Sequence, residues 1–102
     1  DKMGVTGLIV KSKTTQEIRQ LDVPGVFVFV GRDVLSDCLK QNDGSYLCDV
    51  NEQNEVIVDL RMRTSVKGLY AAGDVRIDAA KQVVCAAADG ATAAVNIIEY
   101  LG

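Results

Sequence analysis

The sequence predicts an α/β fold with a parallel sheet covered on both faces, and three observations predict it. "GVFVFVG", residues 25–31, is a nearly continuous β-branched and aromatic run, the composition of a strand buried on both sides. "GLYAAGDV", residues 68–75, is a second apolar run that stops abruptly at Gly73 and Asp74. From Val84 the apolar residues Ala87, Ala88, Ala91, Val95, Ile98 and Leu101 recur largely at helical spacing, the stripe of an amphipathic helix.

Taken in order, "VTGLIVK" is a short apolar segment, "SKTT" is polar and turn-like, and "QEIRQL" alternates. That pattern predicts a β-hairpin. Pro24 stands just before the run at 25–31, where a missing backbone donor does least harm. In the middle, "VLSDCLKQ" predicts one or two helical turns. "SYLCDV" and "EVIVDL" predict short strands joined by the polar loop "NEQN". The last piece is a strand ending in Gly-Asp, followed by a helix predicted from Lys81 to Leu101. That helix is rich in small residues, which let it approach a neighbour closely. Gly90 costs about 1 kcal/mol of helix propensity relative to Ala, so a close contact at Gly90 is expected in compensation.

The Gly-Asp step has two readings. Gly73 and Asp74 could form only a tight turn, the glycine supplying a backbone shape that other residues resist. Alternatively Asp74 stands at the carboxyl end of a parallel strand, where open α/β sheets hold their ligands. The helix start is equally open: Asp78 could simply cap it, with no ligand involved.

Composition excludes several function classes. The 102 residues make at most one modest domain, and 48% are hydrophobic, which suits a packed core. The net charge is −3 and the basic residues are scattered, so no nucleic-acid partner is expected. No apolar run approaches the roughly 20 residues that span a bilayer, so no membrane partner is expected either. With no histidine, Ser-His and Cys-His nucleophile systems are absent. Cys38, Cys48 and Cys85 include no C-x-x-C pair. They read as buried, reduced thiols of a cytoplasmic protein, with no metal site. A G-x-G-x-x-G loop, which follows the first strand of a complete dinucleotide-binding domain, is also absent.

Four stretches carry a family resemblance: "DKMGVTGLIV", "LDVPGVFVFVG", "TSVKGLYAAGDVR" and "KQVVCAAADGATAAVNIIEYL". In this order they resemble landmarks at the carboxyl end of the low-molecular-weight thioredoxin reductases. These are pyridine nucleotide–disulfide oxidoreductases that use FAD and NADPH. The "AGD" element is widespread among flavoprotein disulfide reductases. The Lys-Gln pair also occurs in the alkyl hydroperoxide reductase flavoprotein subunit and in thioredoxin-reductase-like ferredoxin reductases.

The resemblance implies a fragment of a flavoprotein with two dinucleotide-binding domains, containing a β-hairpin, buried strands and a C-terminal helix. Residues 1–30 would end the NADPH-binding domain, and residues 31–102 would belong to the FAD-binding domain. The redox-active dithiol and phosphate loops would lie upstream, so the fragment alone is expected to be inactive. Asp74 matches the residue that accepts a hydrogen bond from an FAD ribityl hydroxyl, and Gly73 the residue that lets the backbone come close. Lys81, Gln82 and Val83 match the segment whose backbone reaches the flavin ring, Lys81 standing where an arginine is usual. Thioredoxin is the implied partner of the whole enzyme, and a homodimer its implied assembly. The alternatives are a fragment of one of the related flavoproteins, or a small non-catalytic α/β binding domain.

Overall fold

The computed structural model describes residues 4–102, and the chain divides into two compact units, Asp1–Arg32 and Asp33–Gly102.

In the first unit the expected hairpin is present. Strand β1, Leu8–Lys11, pairs antiparallel with β2, Ile18–Leu21, in the register Leu8 to Leu21 and Lys11 to Ile18. The polar "SKTT" segment closes it. The Ser12 N–H donates to the Glu17 carbonyl at 2.9 Å, and Gln16 takes a left-handed φ of 61°.

The run at 25–31 departs from expectation. It belongs to no strand, and Phe27, Val28, Phe29 and Val30 are each more than three-quarters exposed. Its backbone chemistry suits a buried strand, but such a strand needs a hydrogen-bonded neighbour on at least one edge and layers on both faces. The described residues contain only the two-stranded sheet β1–β2, which supplies neither. Phe27 and Phe29 instead stack on each other, ring centroids 6.2 Å apart.

The second unit is held by turns and single bridges rather than long strands. The helical expectation near "VLSDCLKQ" shrinks to one 3-10 turn, Asp37–Leu39. The strands expected in "SYLCDV" and "EVIVDL" reduce to an antiparallel bridge between Val50 and Val56. Their hairpin tip is set by Asn51, whose Oδ1 accepts the Gln53 and Glu55 amides at 3.0 and 2.9 Å. A second tip is set by Asp59, whose Oδ1 accepts the Arg61 and Arg63 amides. Side-chain turns of this kind let Asn54 and Met62 adopt left-handed backbones.

Val56 is the hub. It is fully buried, bridges Val50 on one side and pairs in parallel with Arg76 on the other. Its N–H donates to the Val75 carbonyl at 2.8 Å, and its carbonyl accepts the Ile77 N–H at 2.9 Å. The expected parallel pairing next to Asp74 therefore exists, as one bridge just beyond it. Cys48, Met62 and Ala93 complete the buried apolar set. Ser36, also fully buried, donates its hydroxyl to the Asn54 carbonyl at 2.8 Å.

Helix α1 spans Val83–Leu101, two residues shorter at its start than expected. Lys81 has φ +58° and Gln82 an extended backbone, so neither can join the helix. The apolar stripe is real but faces outward: Val84, Val95, Ile98 and Leu101 are 64–76% exposed, and Ala87, Ala88 and Ala91 are exposed with them. The inward face carries buried Asp89 and Ala93. Gly90 lies on the open side, where an added Cβ would meet nothing within 4 Å, so the expected close contact is absent. By length and composition α1 is apolar enough to cross a membrane, with mean hydropathy 1.2, contrary to the sequence expectation. Its inward face is nonetheless committed to the rest of the unit through Asp89. All three cysteines are free, but only Cys48 is buried; Cys38 is exposed and Cys85 half-buried. The 3-10 turn is too short to cover Cys38.

Val56→Ala should lower the unfolding free energy by about 2 kcal/mol, because it empties the one fully buried apolar position among the described residues. Leu60→Ala, at a position 94% exposed, should stay within about 0.5 kcal/mol. Denaturant unfolding of both variants checks this; equal losses would mean that Val56 is not the hub.

Candidate functional site

Residues 73–77 form a turn tied at both ends. At its start Gly73 is buried with φ +83°, a conformation that costs an L-residue about 1–2 kcal/mol. A Cβ at Gly73 would meet the Ala86 Cβ at 3.4 Å, about van der Waals contact. The glycine is therefore required by the backbone shape, whatever lies on the outer side.

The Gly73 N–H donates to the Asp89 Oδ2 at 3.0 Å. Arg76 grips the same carboxylate with two donors, Nε to Oδ2 at 2.6 Å and Nη2 to Oδ1 at 2.8 Å. Its third guanidinium donor, Nη1, reaches the Ile77 carbonyl at 2.8 Å. The Arg76 and Asp89 side chains are only 17% and 11% exposed. Such a bidentate, charge-assisted pair is among the strongest hydrogen-bonded contacts a protein makes. The Arg76 guanidinium, followed by the Gly73 N–H, holds the Asp89 carboxyl below the usual carboxylate range. Asp89 in turn raises the Arg76 pKa above its ordinary value. At the far end, the backbone on either side of Arg76 bonds to Val56. Asp74 lies between these two anchors, exposed.

The loop from Asp78 to Gln82 leads from this turn into α1. Asp78 and Lys81 are both left-handed, at φ 54° and 58°. Strained backbone of this kind persists only where the surroundings over-determine it. One such constraint is an ion pair: the Lys81 Nζ donates to the Glu55 Oε1 at 3.3 Å, while the Asn51 Nδ2 donates to the Glu55 Oε2 at 2.7 Å. The Asn51 amide and then the Lys81 ammonium hold the Glu55 carboxyl below its ordinary range.

Asp78 does not cap the helix. Gln82 occupies the cap position with an extended backbone, and its side chain makes no capping bond. The first amide with an intrahelical acceptor is that of Ala86, bonded to the Gln82 carbonyl at 3.0 Å. The amides of Val83, Val84 and Cys85 precede it, at the positive end of the helix dipole. Val83 and Val84 are 89% and 73% exposed beside them. This combination presents apolar surface next to uncapped donors. It can receive the edge of a flat, partly polar ring and stabilise negative charge on it.

Of the residues singled out in the sequence, Gly73 and Asp74 form the turn, while Lys81, Gln82 and Val83 form the loop end and first helical residue. The helix brings these two groups together, because the turn docks on it through Ala86 and Asp89. Sequence reasoning missed Asp89, Arg76 and Glu55. The available signal was an acidic residue alone within an otherwise apolar helical stretch. A 440 Å³ cavity lined by Thr64, Lys67, Tyr70 and Tyr100, among others, includes neither Gly73 nor Asp74 in its wall.

Residues 2–90 match the family model described as "Pyridine nucleotide-disulphide oxidoreductase". Over 101 residues, 99% of the chain, it is 55% identical to thioredoxin reductase of Helicobacter pylori and spans 32% of that protein. It is 36% identical, again over 99% of its length, to an alkyl hydroperoxide reductase subunit of Pseudomonas aeruginosa, spanning 18% of it. Among solved structures it is similar to T. acidophilum thioredoxin reductase: TM-score 0.75 and 36% identity, over 92% of this chain and 30% of that one. The chain thus spans about a third or less of each of these proteins.

The depressed Asp89 carboxyl makes stability pH-dependent. Its contribution is present above the unfolded-state carboxylate pKa of about 3.9 and is lost as pH falls through the lower folded value. Asp89→Asn should therefore lower the melting temperature at pH 7 and narrow its gap to the parent below about pH 4. Thermal melts across that range test this; a gap that stays constant into acid would mean that the pair contributes no charge-dependent stability.

Proposed function

Because the chain belongs to the pyridine nucleotide-disulphide oxidoreductase family, we propose that it is part of a longer thioredoxin reductase. That enzyme passes electrons from NADPH through FAD and a dithiol to thioredoxin. The higher identity to a thioredoxin reductase than to an alkyl hydroperoxide reductase carries the choice of acceptor. FAD, when bound, supplies the two-electron chemistry between NADPH and the disulfide.

The residues present fit FAD. On this reading Asp74 accepts a hydrogen bond from a ribityl hydroxyl, its carboxylate exposed on a turn whose two ends are anchored. Gly73 lets that turn lie close against α1. The backbone of Lys81, Gln82 and Val83 brings the first-turn amides to the pyrimidine edge of the ring. There the uncapped helix end stabilises charge, and Val83 and Val84 exclude water. The Lys81 ammonium acts at a distance, since its partner is Glu55.

The dithiol must come from residues outside this chain, because Cys38, Cys48 and Cys85 include no C-x-x-C pair. Residues 1–30 would end the NADPH-binding domain and residues 31–102 would belong to the FAD-binding domain. The exposed apolar face of α1 supports a homodimer or cover by the remaining FAD domain, since contiguous exposed apolar surface of this kind marks an interface. The three free thiols support a cytoplasmic location. The buried Asp89–Arg76 pair supports a packed helix rather than a membrane-spanning one.

In the full-length protein, Asp74→Ala should raise the FAD dissociation constant about tenfold to a hundredfold, the loss of one charge-assisted hydrogen bond. Titration of the apoprotein with FAD measures it. A dissociation constant equal to the parent's would leave Asp74 as a turn residue only.

A further inference from the structure

We propose that Asp89 is a positioning residue for the cofactor site, setting the direction in which Asp74 is presented without touching the cofactor itself. The proposal rests on the flavin reading above. It follows from which donors the Asp89 carboxylate holds. One is the N–H of Gly73, immediately before Asp74; the others are Nε and Nη2 of Arg76, two residues after it. Asp74 is thus the centre of a span whose two ends are fixed to one carboxylate.

That carboxylate belongs to α1, the helix whose first-turn amides form the other half of the site. One side chain therefore keeps the turn and the helix start in register. A neutral residue could not do both tasks. An amide at position 89 retains an oxygen for the Gly73 N–H but offers Arg76 only one acceptor and no charge. Arg76 would then be a partly buried cation without its counter-charge, and its own N–H, bonded to the Gly73 carbonyl at 3.2 Å, would carry any displacement into the turn.

A double-mutant cycle separates positioning from bulk stability, because residues acting through one another are non-additive. The full-length apoprotein is titrated with FAD in four forms: parent, Asp89→Asn, Asp74→Ala and the double variant. The visible flavin spectrum and the apoprotein melting temperature are recorded for each. Asp89→Asn alone should raise the dissociation constant about tenfold, and less than about twofold when Asp74 is already Ala. Asp89→Glu, which keeps the charge and both oxygens, should restore part of the affinity.

An equal effect of Asp89→Asn in both backgrounds would overturn the proposal, making Asp89 a structural residue only. So would an affinity unchanged by Asp89→Asn despite a lower melting temperature. If Asp74→Ala itself leaves affinity at the parent value, the flavin reading of Asp74 fails, and this proposal with it; that result is visible in the single variant. Where Asp89→Asn yields too little folded protein, Arg76→Lys, which keeps the cation but loses the two-pronged grip, enters the same cycle with the same expected non-additivity.

Discussion

One carboxylate on an apolar helix ties that helix to the turn at residues 73–77 in the second unit. Asp89 accepts three hydrogen bonds from a single short turn, two of them from Arg76 and one from the Gly73 backbone. Burying a carboxylate is costly unless it is paired and fully hydrogen-bonded, and this one is both. The pairing decides which face of α1 turns inward. A helix oriented by its apolar stripe alone would bury Val84, Ala91, Val95 and Ile98; here those residues face outward and Asp89 faces in.

Two apolar surfaces are open, one in each unit: the outer face of α1 and the run Phe27–Val30. Both have the composition of buried elements. The chain spans about a third of the length of a similar thioredoxin reductase. The outer helix face and the Gly73–Asp74 turn serve different ends. The turn's anchors on Asp89 and Val56 lie in the second unit, apart from either apolar face.

The local chemistry was legible in sequence wherever it depended on neighbouring residues. The polar "SKTT" segment specified the first hairpin, and the Gly73–Asp74 step specified a turn that needs a left-handed residue. The landmarks at 64–76 and 81–101 carried the family. What sequence could not show was long-range pairing. Position 25–31 has the right residues for a strand but no partner within the described chain. That Asp89 faces the rest of the unit could not be read from hydrophobic periodicity, which ignores an ion pair, and Arg76 lies 13 residues from Asp89. The helix start was misplaced because nothing in "DAAKQ" announces left-handed Asp78 and Lys81; the Glu55–Lys81 pair that accompanies them spans 26 residues.

The central claim is that the anchored turn and the uncapped helix start form one site for FAD. A crystal structure of the full-length protein with FAD tests it most directly. The account predicts an Asp74 carboxylate oxygen about 3 Å or less from a ribityl hydroxyl, and the Val83 amide facing the pyrimidine edge of the ring, with the Asp89–Arg76 pair intact behind them. A bound FAD whose ribityl chain lies beyond hydrogen-bond reach of Asp74 would contradict it.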